Sequence, residues 1–529
     1  MLRQLHQFVI ALSLIFVAAC SSNDTPSSEY SIDTDNLVLG REKGAQASFT
    51  INASSSWSIT YPGESFDVSP TTGRSGKTQV IVTATQTNKE VHDVKLGDIQ
   101  VLFSGVNQTY PIAVKQESGI AQKTILLYMP GRSLLRFFER NIELASRAVE
   151  EQVLQTGGRF LVCYQPSSHQ EASVLELTFN PVSKKCDVKK IHDYTSFEAK
   201  DPEKVSAMMQ DIAKLAPSKQ YGLIIGCHGK GWIPVGKKLS SLQIDSAHGS
   251  EVSAGAGISE ADFWRPATGA LPTRYLRSMD AANDCCTTGD FHPQTRSFGD
   301  PNHELDIPQL SSILRGLPFK FEYLIFDACF MSNIETLYDL RDVVDYVLAS
   351  PCEIMAEGFP YNRLLKPLFD TKSTRENLEH AAQEYWDFYQ NHWQEAPNNE
   401  QSGCIALAVM SEIEALAKVM YRINEEIPLD YNKDDLQSYE GLSDHVFFDL
   451  GHYIEQTCRN AGLKSEFNEV LDRFLPRAAR LNTPKFYSAL NASLNPIVYY
   501  SGISFSEIAD RYKMENIRTD WYLSTHKTK

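Results

Sequence analysis

Missing from this 529-residue chain are most of the short signatures that would assign a cofactor. No Gly-x-Gly-x-x-Gly or Walker-type loop opens a helical pattern, so nucleotide binding has no support. No Cys-x-x-Cys pair occurs, and the adjacent Cys285-Cys286, with His292 and His303 nearby, lack the spacing that brings two thiolates to one tetrahedral zinc. No EF-hand-like acidic loop is present, which leaves calcium without a recognisable site. Positive charge is also short: 50 Lys and Arg against 66 Asp and Glu give a net charge of −16, and no basic stripe interrupts it, which excludes broad nucleic-acid binding. Beyond the N-terminus no apolar run reaches the roughly 18 residues needed to span a bilayer.

What is present belongs to a folded, exported protein. Hydrophobic residues make up 42% and charged residues 22%, and the length exceeds what one core sustains, so at least two domains are expected. Met1-Leu-Arg3 precedes an apolar run from Phe8 to Ala19, too short for a span and of signal-peptide length. Val17-Ala-Ala-Cys20 resembles the bacterial lipobox, which implies lipidation of Cys20 and a membrane anchor, with 21–32 as a polar tether. Nine further cysteines, an odd number without repeated spacing, argue against a disulfide framework; Cys163, Cys227 and Cys404 lie in apolar runs and read as core.

Residues 33–118 carry short alternating runs, Ser48–Asn52, Trp57–Tyr61, Gln79–Ala84 and Tyr110–Val114, separated by Gly, Pro, Ser and Asn. That spacing describes a small antiparallel β-sandwich. Trp57-Ser-Ile, Val68-Ser-Pro70 with Gly73, and Val114-Lys-Gln116 resemble the BACON module of bacterial surface proteins, which implies glycan or mucin binding. Few aromatics are available for a sugar platform, and Trp57 fits a core position equally well, so a spacer is the favoured role.

From Thr124 onward strand and helix patterns alternate. Thr124–Met129, Arg159–Tyr164, Val174–Phe179, Tyr221–Gly226, Phe321–Asp327, Tyr346–Ser350 and Gly403–Met410 read as strands. Asp201-Pro-Glu203 and Ser373-Thr-Arg-Glu376 read as helix starts before the stripes Val205, Met208, Met209, Ile212 and Leu378, Ala381, Ala382, Tyr385; Ser411-Glu-Ile-Glu414 has the same capping-box spacing. The expected fold class is α/β, a mostly parallel sheet with helices on both faces, preceded by the all-β sandwich.

Two of those strands stop at chemistry. One ends in Cys227-His228-Gly229, the other in Asp327-Ala-Cys329, and open α/β sheets build their sites at such strand ends. A thiol is mostly protonated at neutral pH, so a nucleophilic Cys329 needs an imidazole to take its proton, and His228 can later return it to a leaving amine. Gly229, without a Cβ, and the Cys329 N–H are candidate oxyanion donors.

His228-Gly-Lys-Gly-Trp232 followed by Phe326-Asp-Ala-Cys-Phe-Met-Ser332 and Glu335 resembles the clostripain family of cysteine peptidases, within the caspase-like group. The resemblance runs from about Thr124 to near the C-terminus, with a core over 122–400 and an accessory part over 401–529. It implies His228 and Cys329 as the catalytic pair and cleavage after Arg or Lys, with Asp327 and Glu357 as acids in the substrate pocket. It also implies self-cleavage between the catalytic residues, in the long segment 230–303, at Lys237, Lys238, Arg274 or Arg277. No cofactor is implied beyond the calcium used by the founding peptidase. His445–Leu450 resembles the family's accessory motif, and Val498–Ser504 a late strand. The alternative is an inactive surface adhesin that keeps the fold.

Overall fold

The computed structural model describes residues 30–90, 92–235, 237, 299–300, 302–392 and 402–527. Chain contacts divide it into two units, 1–120 and 121–529.

In the first unit two sheets enclose one apolar core. The strands run in the order 30–32, 46–53, 76–84, 66–69 in one sheet and 36–39, 109–116, 94–103, 57–60, 72–73 in the other. Phe49, Ile51, Val80 and Val82 from the first meet Ile99, Val101, Ile112 and Val114 from the second, the alternation expected of half-buried strands. Pairing is antiparallel with one departure from the sequence expectation: 36–39 runs parallel to 109–116. Trp57 is 3% exposed and fills the core; a Cβ on Gly73 would come within 2.3 Å of its ring. It is therefore lost to any sugar platform.

The second unit is built on a nine-stranded sheet. In chain order its strands are β1 Ala121–Met129, β2 Gly158–Tyr164, β3 Ala172–Phe179, β4 Cys186–Tyr194, β5 Ser218–Gly226, β6 Phe321–Asp327, β7 Tyr346–Ala349, β8 Cys404–Val409 and β9 Arg480–Asn482. They lie in the order β4-β3-β2-β1-β5-β6-β7-β8-β9. The five central strands are parallel, and an antiparallel pair closes each edge.

Buried parallel strands are apolar on both faces because helices cover both. Leu126, Leu223, Ile225, Leu324 and Phe326 point to one face, where α2 (Pro202–Leu215), α3 (Ile307–Arg315), α4 (Ile334–Asp339) and α7 (Ile413–Asn424) pack. Ile125, Leu127, Ile224 and Ile325 point to the other, under α1 (Leu135–Glu150), α5 (Tyr361–Leu368) and α6 (Thr374–Asp387). Asp201 caps α2 by accepting the Glu203 and Lys204 N–H groups, and Ser373 with Glu376 forms the capping box of α6. The third expected box fails: α7 starts after a 3₁₀ turn over Met410–Glu412, and Glu412 pairs with Arg473 at 3.0 Å instead of capping. Val498–Ser504 is not a strand either; only Ser504–Phe505 pairs, with Phe448–Asp449.

Candidate active site

Parallel register sets the site. Gly226 lies opposite Asp327 at the carboxyl ends of β5 and β6, and the Cys227 N–H reaches the Asp327 carbonyl at 3.3 Å. The segment Cys227–Gly229 then runs along Asp327–Cys329. An ideal Cβ on Gly229 would stand 2.4 Å from the Cys329 carbonyl oxygen and 2.9 Å from its nitrogen. Only glycine allows that approach. His228 is half-buried, whereas Asp327 and Cys329 are fully buried.

After Cys329 the chain turns sharply. Phe330 has φ of 61°, a backbone conformation costly for a bulky side chain and concentrated at functional sites. What holds it there is packing. Its N–H donates to the Cys352 carbonyl at 3.1 Å, and its ring stacks on Phe447 with centroids 4.7 Å apart. Gly231, itself at φ +59°, fits against the Phe330 carbonyl and the Phe447 ring.

The loop following β7 supplies the next contacts. Ile354 donates its N–H to the Cys329 sulfur at 3.3 Å, and its carbonyl lies 3.7 Å from the same atom. A neutral thiol satisfies both, accepting one hydrogen and donating another; a thiolate keeps the first contact and loses the second. Farther along the loop, Tyr361 donates its phenol proton to Asp327 Oδ2 at 2.9 Å. Glu357, expected as the second pocket acid, is half-buried, and its carbonyl accepts the Asn141 amide at 2.8 Å. Glu353, which sequence reasoning passed over, is buried and accepts the Ser488 hydroxyl and the Ala489 N–H.

On α4, Glu335 is fully buried, with Oε1 accepting the Ser506 N–H and the Asn516 amide, each at 2.8 Å. Burial pushes its carboxyl from 4.5 up to about 7 against the pull of those bonds. A folded-state value above the unfolded one means that the folded protein holds the proton more tightly. The stabilisation is complete below about pH 4.5 and is lost as pH rises through about 7. Asp339, raised by burial from 3.8 to about 7, adds in the same direction. Thermal midpoints should therefore show a downward component between pH 4.5 and 7, and Glu335→Gln should remove part of that slope, Asp339 keeping the rest.

The flanks of the segment between β5 and β6 are tied together. Lys230, buried, forms an ion pair with Glu304 at 2.9 Å, and the Val235 N–H donates to Asp306 at 2.7 Å. Lys237 is exposed and pairs with Glu515 at 2.9 Å; Lys238, Arg274, Arg277 and Cys20 lie outside the described residues. Among the described residues no group of three His, Cys, Asp or Glu could hold a metal ion, the seven cysteines form no disulfide, and no helix is long and apolar enough to cross a membrane.

The strand ends and their acid, imidazole and thiol were legible in sequence. Ile354 was not, because it acts through its backbone, and Tyr361 carried only the signal of closing the Glu353–Tyr361 stretch.

Residues 288–498 match the family model of the clostripain family, Peptidase C11. A secreted C11 cysteine protease from Bacteroides thetaiotaomicron, "iotapain", is 26% identical over 77% of this chain and 100% of its own, with a TM-score of 0.60. An inactive zymogen C11 protease from Parabacteroides distasonis is 20% identical over 77% of this chain and 99% of its own, with a TM-score of 0.57. A clostripain from Bacteroides thetaiotaomicron in complex with a peptide inhibitor is 30% identical over 43% of this chain and 98% of its own, with a TM-score of 0.39. No curated protein matches. With the family model on the Cys329 half and a related protease spanned over its whole length, the chain belongs to the clostripain family of cysteine peptidases.

Proposed function

We propose that this peptidase cleaves after Arg or Lys, with Cys329 as nucleophile, His228 as general base and then acid, and Asp327 as the acid that receives the P1 cation. The observation that carries the specificity is Asp327 itself: fully buried, two residues before Cys329, at the same strand end. A carboxylate in a desolvated pocket attracts guanidinium or ammonium far more strongly than it would in water. The attack places the Cys329 sulfur on the scissile carbonyl carbon while His228 takes the thiol proton. The oxyanion is held by the Cys329 N–H and the backbone at Gly229, and His228 protonates the departing amine. Water then attacks the thioester, and His228 accepts its proton. Glu357 is assigned to the pocket wall near the P1 group.

The intact chain is read as a precursor that processes itself. Its thiol is fully buried and held by the Ile354 N–H, a constraint on substrate access. Cleavage at Lys237, Lys238, Arg274 or Arg277 would release that constraint, and the Lys230–Glu304 pair would hold the two products together. An anchor at Cys20 would keep the enzyme on the cell surface, with the β-sandwich as spacer; the secreted relative is in keeping with export.

The test is hydrolysis of fluorogenic peptides with P1 Arg, Lys, Ala and Asp by residues 21–529, beside Asp327→Asn. Activity confined to Arg and Lys, with kcat/KM reduced at least about 100-fold in the variant, is expected from loss of a buried charge pair. Equal activity on P1 Ala would refute the basic specificity, and silence on all four would favour the adhesin.

A further inference from the structure

We infer that Tyr361 is a positioning residue for specificity: its phenol orients the Asp327 carboxylate for the P1 cation. The inference rests on the proposed reading of Asp327 and adds a residue to it.

A carboxylate with no solvent exposure is expensive to keep ionised unless hydrogen-bond donors face it. Tyr361 supplies one at 2.9 Å from Oδ2. The donor is rigid: Tyr361 is fully buried as the first residue of α5, and Leu364, Leu365 and Leu368 on that helix are buried in the same core. A phenol has two side-chain torsions, so a buried ring holds its oxygen in place better than a Ser or Gln would.

Placement in the chain gives the contact a second consequence. Ile354 lies in the connection between β7 and α5 and Tyr361 opens α5 at its end, and they hold the nucleophile and the pocket acid respectively. The distance from cleaved bond to P1 charge is thereby set by one segment. Around it, the Phe359 and Tyr385 rings lie 4.5 Å apart and those of Tyr385 and Tyr389 5.0 Å apart; Tyr389 donates to the Gly358 carbonyl at 2.7 Å. Tyr385 provides an internal control, since its hydroxyl is buried with no hydrogen-bond partner among the described residues.

The experiment compares wild type, Tyr361→Phe, Tyr385→Phe and Asp327→Asn as full processed chains. It measures KM and kcat on P1 Lys and Arg peptides, the alkylation rate of Cys329 by iodoacetamide, and the thermal midpoint. Tyr361→Phe should raise KM about ten-fold or more, the scale of one hydrogen bond to a charged group, while kcat, alkylation and Tyr385→Phe stay near wild type. Incorporating 3-fluorotyrosine at 361, a stronger donor of nearly the same size, should keep KM at or below the wild-type value, and it serves equally if the phenylalanine variant does not fold. An unchanged KM in Tyr361→Phe beside a damaged Asp327→Asn overturns the role of Tyr361 and leaves the specificity reading standing. Parallel falls in kcat, alkylation and thermal midpoint also overturn it, as the mark of a structural residue. Wild-type rates in Asp327→Asn, or a wild type inert on both peptides, remove the specificity reading and this inference with it.

Discussion

Replacing Cys329 with alanine is expected to abolish peptide hydrolysis, and replacing His228 with alanine to lower kcat by about 10²–10⁴-fold or more, the range of a positioned acid–base group. The two losses differ in kind. Without the sulfur no acyl-enzyme forms and nothing replaces it. Without the imidazole the thiol remains, still held by the Ile354 N–H at 3.3 Å, but no group takes its proton or returns one to the leaving amine. The double variant should therefore be no worse than Cys329→Ala alone, since residues that act as a unit are not additive. Iodoacetamide separates the cases: His228→Ala should still be alkylated, more slowly near neutral pH and recovering as pH approaches the ordinary thiol range, whereas Cys329→Ala should show no labelling there. On a denaturing gel the Cys329→Ala chain should also stay intact where wild type splits. A variant that still splits alone would remove autocatalysis by Cys329 from the account.

How much of this was readable beforehand depended on where the information is stored. Strands β1, β2, β3, β5, β6, β7 and β8 are apolar runs bounded by turns, and buried strands of this kind announce themselves. Strands β4 and β9 do not: Cys186–Tyr194 is a mostly polar, half-exposed edge, and Arg480–Asn482 is three residues long. Both join the sheet because a neighbour offers an unpaired edge, which is tertiary information. The same holds at the site. His228, Gly229, Asp327 and Cys329 are conspicuous because each sits at a strand end with chemistry of its own. Ile354 contributes an N–H that any residue but proline has, Phe330 contributes a strained φ, and Tyr361 reaches its carboxylate from 34 positions away. Sequence marks side chains with chemistry of their own at strand ends well, and the groups that contact them poorly.

Gly229→Ala should be nearly as damaging as loss of a catalytic group, although it removes no functional atom. The added methyl would stand 2.4 Å from the Cys329 carbonyl oxygen, 2.9 Å from the Cys329 nitrogen and 3.0 Å from the Ala328 Cβ. The first two are backbone atoms of Cys329, in the turn that leaves β6 two residues past its end, so neither can swing aside as a side-chain tip would. Relief requires the ends of β5 and β6 to part by an ångström or so, which carries His228 away from Cys329. Displacements of that size cost about 100-fold in rate where reacting groups must meet. Overpacking of a buried site also costs about 1–3 kcal/mol of stability. Gly316→Ala is the matched control: that glycine is exposed at the end of α3, and its Cβ would meet nothing nearer than 3.4 Å. The expected result is at least about 100-fold lower kcat/KM with a modestly lowered thermal midpoint for Gly229→Ala, and wild-type behaviour for Gly316→Ala. Full activity in Gly229→Ala would mean that the two strand ends part freely, and the close approach of Gly229 to Cys329 would then have no part in catalysis.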